Sequence, residues 1–179
     1  MQISLMTQCY TLVIVDMQTG FPASQDKRTI EGVMAEIRQA KACNASIIFI
    51  ESDPGQYGKI DERLLSLVRD YNSDLWTLER KAYRCDLYWS ASSGGLQVAE
   101  ACEVFEFPTN RFRICGVHTH ICVFFTAMEL NRILPHAQLE IVARACNDGY
   151  ADSPAEAQRL FEHYAPVHNF SSFRFDLGD

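Results

Sequence analysis

The chain has 179 residues, 47% hydrophobic and 22% charged, with 23 Asp+Glu against 16 Lys+Arg and a net charge of -7. This composition excludes a disordered chain and predicts a single domain spanning residues 1–179. An acidic surface repels phosphate, which argues against nucleic acid and against an anionic membrane as partner.

No apolar run reaches the roughly 18 residues that a membrane span requires. The start, Met1-Gln2-Ile3-Ser4, lacks the basic opening of a secretory signal. The seven cysteines are odd in number and irregularly spaced, with no Cys-x-x-Cys. A disulfide framework or a structural zinc site is therefore not expected; reduced thiols in a cytoplasmic setting are.

The predicted elements alternate between strand and helix. Tyr10–Val15 is a continuous β-branched and aromatic run, the pattern of a strand buried on both faces. Ile30, Val33, Met34 and Ile37 recur with the helical period over 29–43, and Ser46–Ile50 is a second buried strand. Ile60, Leu64, Leu67, Val68 and Tyr71 form another helical stripe. Leu75–Leu78 reads as a short strand, and Leu96, Ala99 and Cys102 as a short helix. Arg113–Val117 is a strand, and Val123–Leu134 a helix so apolar at its start that burial is expected. Leu139–Ala143 is the next strand. Ser153-Pro154-Ala155-Glu156 has the form of a capping box before a helix with Ala157, Leu160, Phe161 and Tyr164 on its apolar face. Pro166–Phe170 reads as a final edge strand. The expected fold is α/β, a doubly wound and mainly parallel sheet with helices on both faces.

In such sheets ligands sit beyond the carboxyl ends of the strands, so the residues that directly follow each run matter most. Asp16 closes the first strand, as a helix cap or turn former or as a desolvated carboxylate available for chemistry. Glu51-Ser52-Asp53-Pro54-Gly55 follows the second strand and reads as a turn. After the strand at 113–117 comes His118-Thr119-His120-Ile121-Cys122. A cysteine in the first turn of a helix meets the positive end of the helix dipole and free N–H groups, which lower a thiol pKa. The bland reading, a buried apolar thiol, suits the other six cysteines. His118 and His120 alone are a weak metal signal without a third spaced ligand, and a Cys122 dyad with either histidine is also open. Lysine is scarce, and Lys81 follows the short strand at 75–78. Glycine patterns for a dinucleotide or a nucleoside triphosphate are missing.

Three stretches together resemble the isochorismatase-like cysteine hydrolases, the superfamily of nicotinamidases and N-carbamoylsarcosine amidases. They are Val13-Ile14-Val15-Asp16-Met17-Gln18 with Phe21, then Lys81, then Gly116-Val117-x-Thr119-x-x-Cys122-Val123-x-x-Thr126-Ala127. The resemblance runs through nearly the whole chain in order and spacing, and the stretch around Cys122 is its most specific part. It implies a six-stranded parallel sheet and a catalytic triad of Asp16, Lys81 and Cys122. It also implies a cis peptide between Val117 and His118 that aims the N–H groups of His118 and Cys122 at one oxyanion.

The implied reaction is hydrolysis of a small amide through a thioester on Cys122, with no cofactor. An isochorismatase-type vinyl ether hydrolase and a non-catalytic interaction protein on the same fold are the alternatives. Phe21 and Tyr88 are candidates for a substrate clamp or for core. The metal motif of nicotinamidases, Asp-x-His-Pro, is not matched at Glu51-Ser52-Asp53-Pro54, so no metal is expected. Relatives of this kind commonly associate, and Tyr88, Trp89, Val104, Phe105 and Phe107 need cover if exposed, so a homo-oligomer is expected.

Overall fold

The computed structural model describes residues 10–69, 94–149, 154–164 and 173–177. Strand β1 (Thr11–Val15) is buried at every position and lies between β2 (Ser46–Ile50) and β3 (Arg111–Val117). Beyond β3 follow β4 (Gln138–Asn147) and β5 (Phe173–Asp176), giving the order β2-β1-β3-β4-β5 with every pairing parallel. Of the β-branched runs that predicted strands, those of β1 and β3 are central and that of β2 ends the described sheet; all three are apolar for most of their length because both faces are covered.

The helices occupy the connections. In α1 (Lys27–Ala42), Asp26 caps the first turn by accepting from the Thr29 N–H at 3.0 Å, and Ile30, Val33 and Ile37 are buried against the sheet. Two short helices, α2 (Pro54–Tyr57) and α3 (Glu62–Val68), precede α4 (Gly95–Phe105). A π-helical turn over Thr119–Val123 leads into α5 (Phe124–Ile133), and α6 (Pro154–Tyr164) follows β4. The connection from β1 to β2 steps one way across the sheet, and those from β3 to β4 and from β4 to β5 step the other way. Right-handed crossovers in opposite directions place helices on opposite faces, the doubly wound arrangement. Phe161 of α6 closes one side with Phe124, Phe173 and Phe175, at ring-centroid distances of 4.8, 4.8 and 5.1 Å.

Several sequence expectations shift. The described sheet has five strands rather than six, and the expected strand at 75–78 lies outside the described residues. So does the edge strand expected at Pro166–Phe170; the strand pairing β4 is Phe173–Asp176. Two aromatics alternate there, Phe173 and Phe175, and pack on Phe161. The helix expected at Val123–Leu134 begins in the π turn, and Ile121 and Phe125 stand exposed while Phe124, Thr126, Ala127 and Leu130 are buried. Its apolar start is therefore not buried all round.

The central strands are not wholly apolar either. Arg113 of β3 is buried among carboxylates. It donates from Nε to Glu36 of α1 at 2.9 Å, from Nη2 to Asp176 of β5 at 2.7 Å, and from Nη1 to Glu140 of β4. Arg144, Arg111 and Arg174 bind the remaining oxygens of Glu36 and Glu140. Arg113 and Glu140 sit toward the amino ends of β3 and β4.

Candidate active site

Successive strands turn outward on either side of β1, so the switch point of the sheet lies between β1 and β3, where open α/β sheets hold their ligands. The registers Val15↔Ile50, Val15↔Gly116 and Val117↔Asn147 bring the carboxyl ends of four strands level. Asp16, Glu51-Ser52, His118 and Asp148 are the residues that emerge there.

β3 carries a local irregularity beside this crevice, since its register against β4 shifts between Ile114 and Gly116. Gly116 has φ +119°, and a Cβ there would lie 2.0 Å from the Val15 carbonyl oxygen. Glycine is required because β1 and β3 approach too closely for any side chain. The Val117–His118 peptide bond is cis.

Asp16 is 1% exposed and has φ 50°, a conformation that Asp and Asn adopt more readily than most residues. Its N–H donates to Ile50 O at 3.0 Å. Its Oδ1 accepts from the Ser52 N–H at 3.1 Å and from the Ser52 hydroxyl at 2.9 Å. The Cys122 thiol lies beside the same carboxylate, close enough for each to shift the other's proton affinity. Burial pushes the Asp16 carboxyl up to about 6, and the neighbouring Cys122 thiol and the Ser52 hydrogen bonds only partly offset it.

Cys122 is partly buried. Burial and the adjacent Asp16 carboxylate push its thiol well up, while the backbone N–H groups of His118 and of Cys122 itself favour the thiolate. The expectation of a lowered thiol pKa is thus reversed in the described surroundings. Desolvation and a neighbouring negative charge outweigh two N–H groups. The thiol therefore holds its proton more tightly than a free cysteine does, with the Asp16 carboxyl beside it.

Phe21 stacks on Tyr57 (4.7 Å between centroids, 17° between planes) and meets the His118 ring edge-on at 5.5 Å. Burial holds the His118 ring below its usual pKa. Phe21 therefore forms part of an aromatic wall beside the loop that carries Cys122. Lys81 and Tyr88 lie outside the described residues. The structure brings together Asp16, His118 and Cys122, with Phe21 next to them.

Sequence reasoning passed over three contributors. Ser52 read as a turn residue, yet it is the hydrogen-bond donor to Asp16. Gln18 is fully buried and holds the Ser52 loop by accepting from Ser52 N–H at 2.7 Å and donating to Ser52 O at 3.0 Å and Gly58 O at 2.6 Å. Asp148 pairs with His120. The signal for Ser52 was its place two residues past β2; Asp148 gave none, because the strand expected at Leu139–Ala143 runs on to Asn147. The same strand-end rule had already picked out Asp16.

No known family profile matches the chain, and no curated protein does. Solved structures do. The octameric hydrolase YcaC of Escherichia coli, of unknown specificity, matches with a TM-score of 0.64 at 17% identity, over 93% of this chain and 74% of that one. The nicotinamidase PncA of Bacillus subtilis matches at 0.62 and 13% identity, over 91% and 98%. The pyrazinamidase of Pyrococcus horikoshii, solved in complex with zinc, matches at 0.59 and 17% identity, over 94% and 99%. The chain shares the α/β fold of these proteins.

The zinc complex prompts the question whether a metal fits here. Asp53 caps α2 by accepting from the Gly55 N–H at 2.8 Å, Glu51 accepts from Ile60 N–H, and Asp61 is bound by Arg63 at 2.7 Å. Among the described residues, no group of three or more His, Cys, Asp or Glu is placed to hold an ion. These three carboxylates do not fit a metal ion.

Proposed function

We propose that the protein is a hydrolase that cleaves a small amide through a thioester on Cys122. The observation that carries this reading is the placement of Cys122 beside the buried Asp16 carboxylate at the switch point of the sheet. The hydrolase fold shared with a nicotinamidase and a pyrazinamidase supports it.

In this mechanism the Cys122 sulfur bonds to the amide carbonyl carbon while its proton passes to Asp16. The carbonyl oxygen gains the negative charge and accepts from the N–H groups of His118 and Cys122, each donor of this kind supplying about 3–4 kcal/mol. The C–N bond then breaks, and Asp16 returns the proton to the departing ammonia or amine. Water attacks the thioester with Asp16 accepting a proton, the carboxylic acid leaves, and the thiol is restored. A carboxyl titrating near 6 rather than 3.8 suits both duties, because it gives up and takes a proton close to neutral pH. Lys81 is proposed to hold Asp16 and to favour the thiolate, and Phe21 and Tyr88 to flank the substrate.

The test is intact-protein mass after mixing with a slow amide or an aldehyde analogue. A covalent adduct that maps to Cys122 and is missing in Cys122→Ala is expected. Undiminished turnover in Cys122→Ala would replace the thioester with water attack directed by Asp16, the vinyl ether hydrolase type of chemistry. No adduct and no turnover of any amide would favour a binding protein.

The same reading includes a single domain, a cytoplasmic setting and a homo-oligomer. The octameric state of YcaC and the exposed Val104 on α4 support the oligomer. Sedimentation at micromolar concentration is expected to give a species larger than one chain; a monomer would remove that part.

A further inference from the structure

His120 and Asp148 have no part in the mechanism above, yet they grip the loop that performs it. Asp148 is fully buried and stands one residue past the end of β4, where Asn147 pairs with Val117 of β3. A single oxygen, Oδ1, accepts twice from the same residue: from the His120 backbone N–H at 2.9 Å and from the ring Nδ1 at 2.5 Å. A carboxylate only accepts, so Nδ1 is the protonated ring nitrogen.

His120 lies midway between His118 and Cys122, the two residues whose N–H groups face the sulfur. The turn around it closes on itself through the His118 carbonyl, which accepts from Ile121 N–H and Val123 N–H at 3.1 Å each. Those bonds shape the turn but do not tie it to the sheet. The Asp148 bonds do, by joining the middle of the turn to the end of β4. The hold is not one that stability alone would select. Among the described residues, Asp148 Oδ2 and the Thr119 hydroxyl oxygen are both buried without a hydrogen-bond partner, a state that costs folding free energy. Costly buried polar groups of this kind collect where geometry serves function.

We propose that Asp148 and His120 are positioning residues that clamp the Thr119–Val123 turn to the sheet, keeping the His118 and Cys122 N–H groups aimed at the reacting atoms. The proposal rests on Cys122 as nucleophile. The clamp acts through Cys122 and the two N–H groups and need not touch substrate. Loosening it lets the N–H groups swing away from sulfur, which lowers the thiolate fraction and misaligns the attack.

The experiment compares the full chain with His120→Ala and His120→Asn, working below each variant's melting temperature. It reads the iodoacetamide alkylation rate of Cys122 by peptide mass, and kcat and KM for a primary amide. His120→Ala is expected to slow alkylation and to lower kcat by roughly 10- to 100-fold with KM little changed, the size of loss seen when supporting groups release a reacting one. His120→Asn places an N–H donor where Nδ1–H stands and is expected to recover both rates. Wild-type rates in His120→Ala, a change in melting temperature alone, or no recovery in His120→Asn would each overturn the clamp. Because alkylation needs no substrate, it decides the clamp even if no amide proves to be turned over, so the two readings fail separately.

Discussion

Asp16→Asn is expected to lose most activity and to gain stability. The asparagine keeps an oxygen to accept from the Ser52 N–H and hydroxyl, and it tolerates the φ of 50° that Asp16 adopts. It has no basic atom to take the Cys122 proton. Amide turnover should fall by at least the roughly 10²–10⁴ that general base catalysis supplies. Stability should move the other way. A carboxyl that titrates at about 6 in the folded chain, against 3.8 as a free group, makes the native state bind more protons than the unfolded state between those values. Stability therefore declines as pH rises across that window, and above it the ionised carboxylate costs the native state roughly 3 kcal/mol. Asp16→Asn removes that cost, so its advantage over the wild type should be largest near pH 8 and fade below pH 4. Urea denaturation of both proteins at the two pH values measures it. A variant no more stable at pH 8, or one with undiminished turnover, would refute the assignment.

Arg113→Met is expected to destabilise the fold by about 3–5 kcal/mol, the usual result of removing one partner from a buried ionic cluster. Methionine has a similar reach and is apolar, so the loss is electrostatic rather than a cavity. Glu36 and Glu140 remain buried, and each loses its bond to Arg113. Arg144, Arg111 and Arg174 still reach these carboxylates but lie nearer solvent. The double variant Arg113→Met/Glu36→Gln should recover part of the loss, because it removes the stranded charge as well. Thermal denaturation of the two variants decides this. A single variant within about 0.5 kcal/mol of wild type, the range of an ordinary surface change, would mean that the cluster contributes nothing net.

These two residues also mark how far the sequence could be read. Asp16 was legible because it ends an unbroken apolar run, and a parallel sheet gathers its ligands at such ends. Arg113 was not, since the run around it scans as a buried strand and nothing local says what neutralises a cation inside. Its acidic partner Glu36 stands 77 positions away on α1, and others come from β4 and β5. Only the packing of one helix and three strands makes that arginine tolerable.

The sequence by itself determined the α/β class, because periodicity and β-branched runs are local properties that survive in any compact state. It also determined that Asp16 and His118 follow strand ends, and how the Gly116 to Ala127 stretch resembles one hydrolase superfamily. The tertiary structure alone decided that Asp16 and Cys122 stand side by side and that Ser52 orients the carboxylate. It also reversed the expected direction of the thiol pKa, since desolvation and a neighbouring charge act through space, and spacing along the chain carries neither. The His120–Asp148 clamp belongs to the same category: two residues 28 positions apart meet because β3 and β4 are adjacent and end level.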